Sequence, residues 1–169
     1  VTGIKKAHED LKGYGLELKQ KIKEQTQLTS SVGIAPNKFL AKFASDYQKP
    51  DGLMLIKPEE IQSILDPLPV GYLMGIGKTT QQLLKNYGIT TMGQFRRTDR
   101  RVLEKVTGRQ TDSFLLLARG IDSRPVEPYR EAKSIGKENT YEHDITDLEQ
   151  VHKEILLLSQ RVGWRLRRD

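Results

Sequence analysis

Leu73-Met74-Gly75-Ile76-Gly77-Lys78-Thr79-Thr80 is the stretch that decides how this chain is read. Two glycines bracket one isoleucine. A run with Leu83, Leu84 and Tyr87 on one stripe follows and closes at Gly88-Ile89. The pattern predicts a glycine-hinged hairpin opening a short amphipathic helix, a helix-hairpin-helix arrangement. Glycine lets a backbone come close to a ligand, and the first N–H groups of a helix have no partner within it. Such a corner suits a phosphate. Lys78 adds charge, and Thr79 and Thr80 add hydroxyl donors. Gly77-Lys78-Thr79 also ends like a Walker A loop, but that motif needs glycine where Tyr72 stands and a strand where Pro67 and Pro69 stand. An ordinary helix–turn–helix pair is the remaining local alternative.

Upstream of the hairpin the pattern alternates. Ile4, Ala7, Leu11, Tyr14, Leu18 and Ile22 recur at helical steps, although Gly13 and Gly15 interrupt the middle. Leu28 to Ile34 reads as a strand. Pro36-Asn37 opens a helix from Lys38 to Tyr47, Pro50-Asp51-Gly52 is a turn, and Leu53 to Ile56 is a second short strand. Pro58 starts a helix through Leu65. This is an α/β layer with part of its sheet missing. After Asp66-Pro67-Leu68-Pro69 the strand signal ends. Short helices are expected near Gly71–Met74, Lys78–Tyr87, Met92–Val106 (broken at Thr98-Asp99) and Gln110–Arg119, with Gly88, Gly108 and Gly120 at their ends. Gly120 to Arg130, with Pro125 and Pro128, reads as a linker. Lys133 to Tyr141 reads as a strand, and Asp147 caps a last helix with Val151, Ile155, Leu158, Val162 and Leu166 on one stripe. One strand and one helix do not close a core alone. The expected class is α+β and mostly helical, divided into 1–66, 67–120, a linker at 121–130, and an incomplete β-α unit at 131–169.

The chain of 169 residues carries 28 Lys+Arg against 22 Asp+Glu, a net charge of +6. That balance favours a polyanionic partner, because each cation at a phosphate releases a condensed counterion. Cysteine is absent, so no disulfide or thiol chemistry exists. His8, His143 and His152 have no ligand spacing, so no metal site is expected. No apolar run approaches membrane-spanning length, and with charges at Lys5, Lys6, Glu9 and Asp10 no signal peptide is expected in this stretch. A cytoplasmic setting is the expectation. The chain opens on Val1 and closes on Arg168-Asp169 in mid-pattern, which suggests a piece of something longer.

Two further segments are candidate sites. In the helix at 38–47 and just beyond it, Lys38, Lys42 and Lys49 fall near one angular position, opposite the apolar residues. Pro50 disfavours helical geometry at Lys49, leaving a point charge able to hold a phosphate. A solvated lysine face is the alternative. At Lys133-Ser134-Ile135-Gly136-Lys137, backbone N–H groups with Ser134 and Lys137 are suited to lie along a phosphate chain. An edge strand guarded by lysines is equally consistent. The clusters Arg96–Arg109 and Arg161–Arg168 read as solvated faces.

Taken in order, "SVGIAPNKFLAKFASDYQKPDGL", "LPVGYLMGIGKTTQQLLKNYGITTMGQF", "ARGIDSRPV" and "KSIGKENTY" resemble the Y-family (translesion) DNA polymerases of the DNA polymerase IV type. The resemblance implies that residues 1–66 are the C-terminal part of a palm, 67–120 a thumb and 131–169 the start of a little finger. It implies that Lys49 contacts the incoming deoxynucleoside triphosphate. It places Gly75, Gly77 and Lys78 on the DNA backbone, and Ser134, Gly136 and Lys137 on the template backbone; Thr79, Lys38 and Lys42 join the backbone candidates on their local chemistry alone. The family's Mg2+-holding carboxylates fall in segments that this sequence does not contain, and the sliding-clamp tail is also missing. No catalytic or metal-binding residue is therefore assigned, and the chain alone is expected to be inactive. A stand-alone, non-enzymatic helix-hairpin-helix DNA-binding module is the competing reading.

Overall fold

The computed structural model describes residues 10–129 and 132–168, so Ile4, Ala7 and Arg130 lie outside the described residues. Two units emerge, the first ending at Val126 and the second beginning at Glu127.

The first unit starts with α1 (Leu11–Thr26), capped by Asp10, whose carboxylate accepts the N–H groups of Lys12 and Gly13. β1 (Val32–Ile34), α2 (Lys38–Tyr47) and β2 (Leu53–Leu55) form one crossover unit. The two strands pair in parallel, Val32 with Leu53 and Ile34 with Leu55. The Ile56 N–H continues the ladder onto the Ile34 carbonyl at 2.9 Å. The strand expected from Leu28 begins only at Val32, because a ladder exists only where a partner strand lies opposite. Gly15, which weakens the helix signal, is buried where α1 crosses the sheet. A Cβ there would stand 2.7 Å from Leu53 Cδ1. Its cost in helix propensity permits a close approach.

A 3-10 turn (Pro58–Glu60) leads into α3 (Ile61–Leu65), and another (Val70–Tyr72) leads into the hairpin. α4 (Lys78–Asn86), α5 (Met92–Arg97), α6 (Arg100–Thr107) and α7 (Thr111–Ala118) follow. The break expected at Thr98-Asp99 separates α5 from α6. Thr91 and Gln94 form a capping box on α5, and Asp99 caps α6. Gly88, Gly108 and Gly120 all take positive φ at the ends of helices, as their positions predict.

One buried apolar cluster runs from Phe39, Leu40 and Phe43 of α2 through Leu65, Leu68, Leu73 and Ile76 to Leu84, Phe95, Leu103 and Phe114. It passes across Asp66–Pro69 without interruption. Residues 66–70 are also stitched to the start of α5. Met92 N–H donates to the Leu68 carbonyl and Val70 N–H to the Thr90 carbonyl, each at 2.8 Å.

The second unit contains α8 (Leu148–Leu166), capped by Asp147. Residues 132–147 carry no strand, contrary to the reading of Lys133–Tyr141. Strand-like side chains without a partner strand leave extended coil. Val151, Leu158 and Val162 are half-buried as expected, but Ile155 and Leu166 are exposed, because no second layer covers that side of the stripe.

Candidate nucleic-acid interface

The hairpin is built from inside outward. Leu73 and Ile76 are buried on either side of Gly75, and the Ile76 N–H donates to the Leu73 carbonyl at 3.0 Å. This turn needs a positive φ, and Gly75 supplies it at 101°. A Cβ on Gly75 would also meet Phe114 Cε1 at 3.2 Å. Gly77 differs: nothing lies within 4 Å of where its Cβ would be. Its open side is a place for another backbone to approach.

Gly77 is the N-cap of α4, and no side chain caps that end. The first intrahelical bond is Gln81 N–H to the Gly77 carbonyl, at 3.0 Å. The N–H groups of residues 78–80 therefore have no acceptor within the helix, and the helix dipole adds partial positive charge there. Gly75, Gly77, Lys78 and Thr79 are all exposed. Lys78 and Lys85 flank a shallow groove beside the loop. The structure thus brings Gly75, Gly77, Lys78 and Thr79 together on one open corner. Where a helix-hairpin-helix is expected to have its first helix, the structure has only the 3-10 turn at Val70–Tyr72.

The lysine row on α2 differs from its sequence reading. Lys38 donates to the Pro125 carbonyl at 3.1 Å. Lys42 and Lys49 both pair with Asp46, the latter at 2.6 Å. The hydrogen bond from Lys42, then that from Lys49, holds the Asp46 carboxyl below the usual carboxylate range. A helical wheel of lysines alone misses Asp46. The i,i+4 spacing from Lys42 and the i−3 spacing from Lys49 are the signals that reveal it.

Lys49 itself leads into a turn fixed from outside. Lys19, with only 14% of its side chain exposed, reaches from α1 to Asp51 Oδ1 at 3.0 Å and also to the Asp51 carbonyl. Gly52 N–H donates to Ser31 Oγ at 3.1 Å. Sequence reading missed Lys19, because its partner lies 32 residues away.

Much of the arginine cluster is committed to structure. Arg96 grips Asp66 with two nitrogens, the shortest contact at 2.8 Å, and Arg97 reaches the same carboxylate at 3.2 Å. These contacts, Arg96 first, keep the Asp66 carboxyl low. Arg100 forms a fork on Asp112, both bonds at 2.9 Å. In the second unit, Ser134, Gly136 and Lys137 are exposed on coil, and nothing lies within 4 Å of a Cβ on Gly136.

Among the described residues no three His, Asp or Glu side chains gather where a metal ion could be held.

Comparison with known proteins identifies what the chain is similar to. Residues 1–46 match the impB/mucB/samB family, and residues 132–169 match the impB/mucB/samB family C-terminal domain. The chain is 39% identical over 161 residues to DNA polymerase IV of Desulfatibacillum aliphaticivorans, covering 93% of this chain and 41% of that protein. It is 43% identical over 144 residues to DNA polymerase IV of Stenotrophomonas maltophilia, covering 85% and 40%. Among solved structures it resembles a Y-family DNA polymerase chimera, with TM-score 0.74 and 32% identity, covering 88% of this chain and 43% of that one. It also resembles the insertion ternary complex of Dbh DNA polymerase, with TM-score 0.62 and 38% identity, covering 66% and 33%. The chain spans about two fifths of the length of the curated relatives it matches.

Proposed function

The chain belongs to the Y-family DNA polymerases of the DNA polymerase IV type, and from that premise we propose that it supplies their grip on primer–template DNA and on the incoming triphosphate. In this reading residues 1–66 belong to the palm, 67–120 to the thumb and 131–169 to the start of the little finger. The complete polymerase adds deoxynucleotides opposite damaged template, acts in the cytoplasm and engages a sliding clamp through polypeptide outside this sequence.

The observation that carries the reading is the exposed corner at Gly75–Thr79. Its backbone N–H groups, Lys78 ammonium and Thr79 hydroxyl can all face one phosphate, a contact that positions DNA without reading its sequence. Lys42 and Lys49 add cations that now share Asp46. A triphosphate arriving at Lys49 competes with that carboxylate. Ser134, Gly136 and Lys137 offer a second backbone contact on the other unit. Lys38 has a weaker claim, since it is held by Pro125.

With no fitting carboxylate cluster among the described residues, we assign no phosphoryl transfer to this chain by itself. The test is DNA binding across a salt series, on primer–template of several sequences, with magnesium and all four dNTPs present in parallel samples. Lys78→Ala weakens every sequence alike and flattens the slope of log K against log salt by about 1. No primer is extended. A sequence-selective loss would overturn the phosphate contact, and extension by the chain would overturn its inactivity.

A further inference from the structure

Tyr47 and Tyr72 keep 48% and 44% of their surface exposed, although both rings rest on the buried ring of Phe43. The Phe43–Tyr47 centroids are 5.0 Å apart, and those of Phe43 and Tyr72 are 5.6 Å apart at 84°. The two tyrosines meet each other at 6.5 Å, edge to face. Rings so packed are pre-oriented, so a partner that covers them loses little side-chain freedom. Both rings cover Phe43, which is 4% exposed, and each still leaves close to half of its own surface open.

The surroundings of this pair identify its partner. Tyr72 ends the 3-10 turn and stands three residues before Gly75, so its ring belongs to the approach to the hairpin. Tyr47 ends α2, between Asp46 and the turn that carries Lys49. On that flank Lys42 and Lys49 outnumber Asp46, leaving net positive charge. On the side of Tyr72, its neighbour Gly71 shares a groove with Lys78, at the uncapped start of α4. An apolar shelf between two cationic flanks suits a partner whose charges are anionic and regularly spaced with less polar groups between them. A deoxyribose–phosphate strand has that pattern.

We infer that Tyr47 and Tyr72 form an uncharged shelf for the same DNA strand whose phosphate the hairpin holds, with their rings against the sugars. The inference rests on the DNA-binding reading above. It differs in kind from the lysine contacts: a ring releases no counterion, so its loss lowers affinity without changing the salt slope.

Three variants of the chain decide it: Tyr47→Leu, Tyr72→Leu and Tyr72→Phe. Each is measured by fluorescence anisotropy on labelled primer–template over a salt series, with circular dichroism melting as the check on folding. Leucine keeps apolar contact with Phe43 and removes the flat ring; phenylalanine keeps the ring and removes the hydroxyl. Each leucine variant should weaken binding about fivefold at every salt concentration, with the slope unchanged. Tyr72→Phe should stay within about twofold of the parent chain. Folded leucine variants that bind like the parent would overturn the shelf. So would a phenylalanine variant that loses as much as leucine, since the hydroxyl would then be the contact. If the parent chain shows no salt-dependent binding and Lys78→Ala changes nothing, the hairpin reading falls first and the shelf falls with it.

Discussion

Gly75 and Gly77 stand two residues apart and answer to different demands. Gly75 has a φ of 101° and Phe114 directly above the position of a Cβ, so its glycine serves the fold. Gly77 has a φ of −81° and open space where a Cβ would be, so the fold does not require glycine there. The proposed reason for glycine there is the DNA backbone that approaches from outside. Gly75→Ala should therefore cost about 1–2 kcal/mol of stability, measured by chemical denaturation. Gly77→Ala should leave the melting curve in place and weaken DNA binding, because its methyl group occupies the surface that meets the backbone. Loss of stability in Gly77→Ala, or unchanged DNA binding, would remove the argument. The hairpin was legible because its signal is local, with two glycines, a lysine and an amphipathic run within about fifteen residues. Asp46 was only half legible. Counting lysines by angle finds Lys42 and Lys49, and only the spacing of opposite charges finds the carboxylate between them.

At the scale of elements, the helices from Lys38–Tyr47 and from Lys78 to Ala118 follow the sequence closely, while the helix expected near Gly71–Met74 is only the 3-10 turn Val70–Tyr72. α2 runs from Lys38 to Tyr47 as the Asn37 cap and apolar spacing predict, and α5 and α6 part at Thr98-Asp99. The segment after α7 is different. Its glycine and prolines read as a linker, yet it is fastened to the start of α2. Asn37 Nδ2 donates to the Gly120 carbonyl at 2.7 Å, and Phe39 N–H donates to Asp122 Oδ2 at 3.0 Å. Arg124 closes a fork on Asp122 at 2.7 and 2.8 Å. The contacts from Asn37 and Phe39 join residues 83 apart in sequence, and no local pattern encodes them. The Asp122 side chain is only 3% exposed. Arg124 above all, helped by the Arg124 and Phe39 N–H groups, lowers its pKa to about 2 from the ordinary 3.8. Because the folded value is the lower one, the stabilisation is fully present above pH 3.8 and is lost as pH falls through 2. Asp122→Asn should cost about 1–2 kcal/mol at neutral pH, and the gap from the parent should close as acid is added. Denaturation at a series of pH values checks this. A gap that stays constant with pH would show that the carboxylate charge does nothing there. Asp46, Asp66 and Asp112 also have lowered values, so the difference between variant and parent is the quantity to follow.

On the scale of the whole molecule, burial is unequally shared. Every buried residue among those described lies in the first unit, and its buried apolar side chains form one cluster that joins the α/β layer to the short helices. The second unit has α8, a coil tied to it by the Tyr141 hydroxyl donating to Glu154 at 2.6 Å, and no buried side chain among its described residues. A lone helix of 19 residues is marginal in water, because nucleation is costly and most helical stability comes from a packed face. Val151, Leu158 and Val162 are only half covered, while Ile155, Leu156 and Trp164 are more than half exposed. This is why the strand signal at Lys133–Tyr141 failed: side-chain type suits a strand, but a strand is made by its neighbours. The two units should therefore separate energetically. Residues 1–126, produced alone, should melt cooperatively at the same temperature as the main transition of the complete chain. Residues 127–169, produced alone, should show little helix by circular dichroism and lose it gradually on heating, with no sigmoidal transition. Urea titration of the complete chain should give an m-value matching the first unit, since m follows the surface exposed on unfolding. A sharp transition in 127–169 by itself would mean that its half-covered stripe is a core after all. A large drop in the melting temperature of 1–126 would mean that the cluster from Phe39 to Ala118 draws stability from residues beyond it.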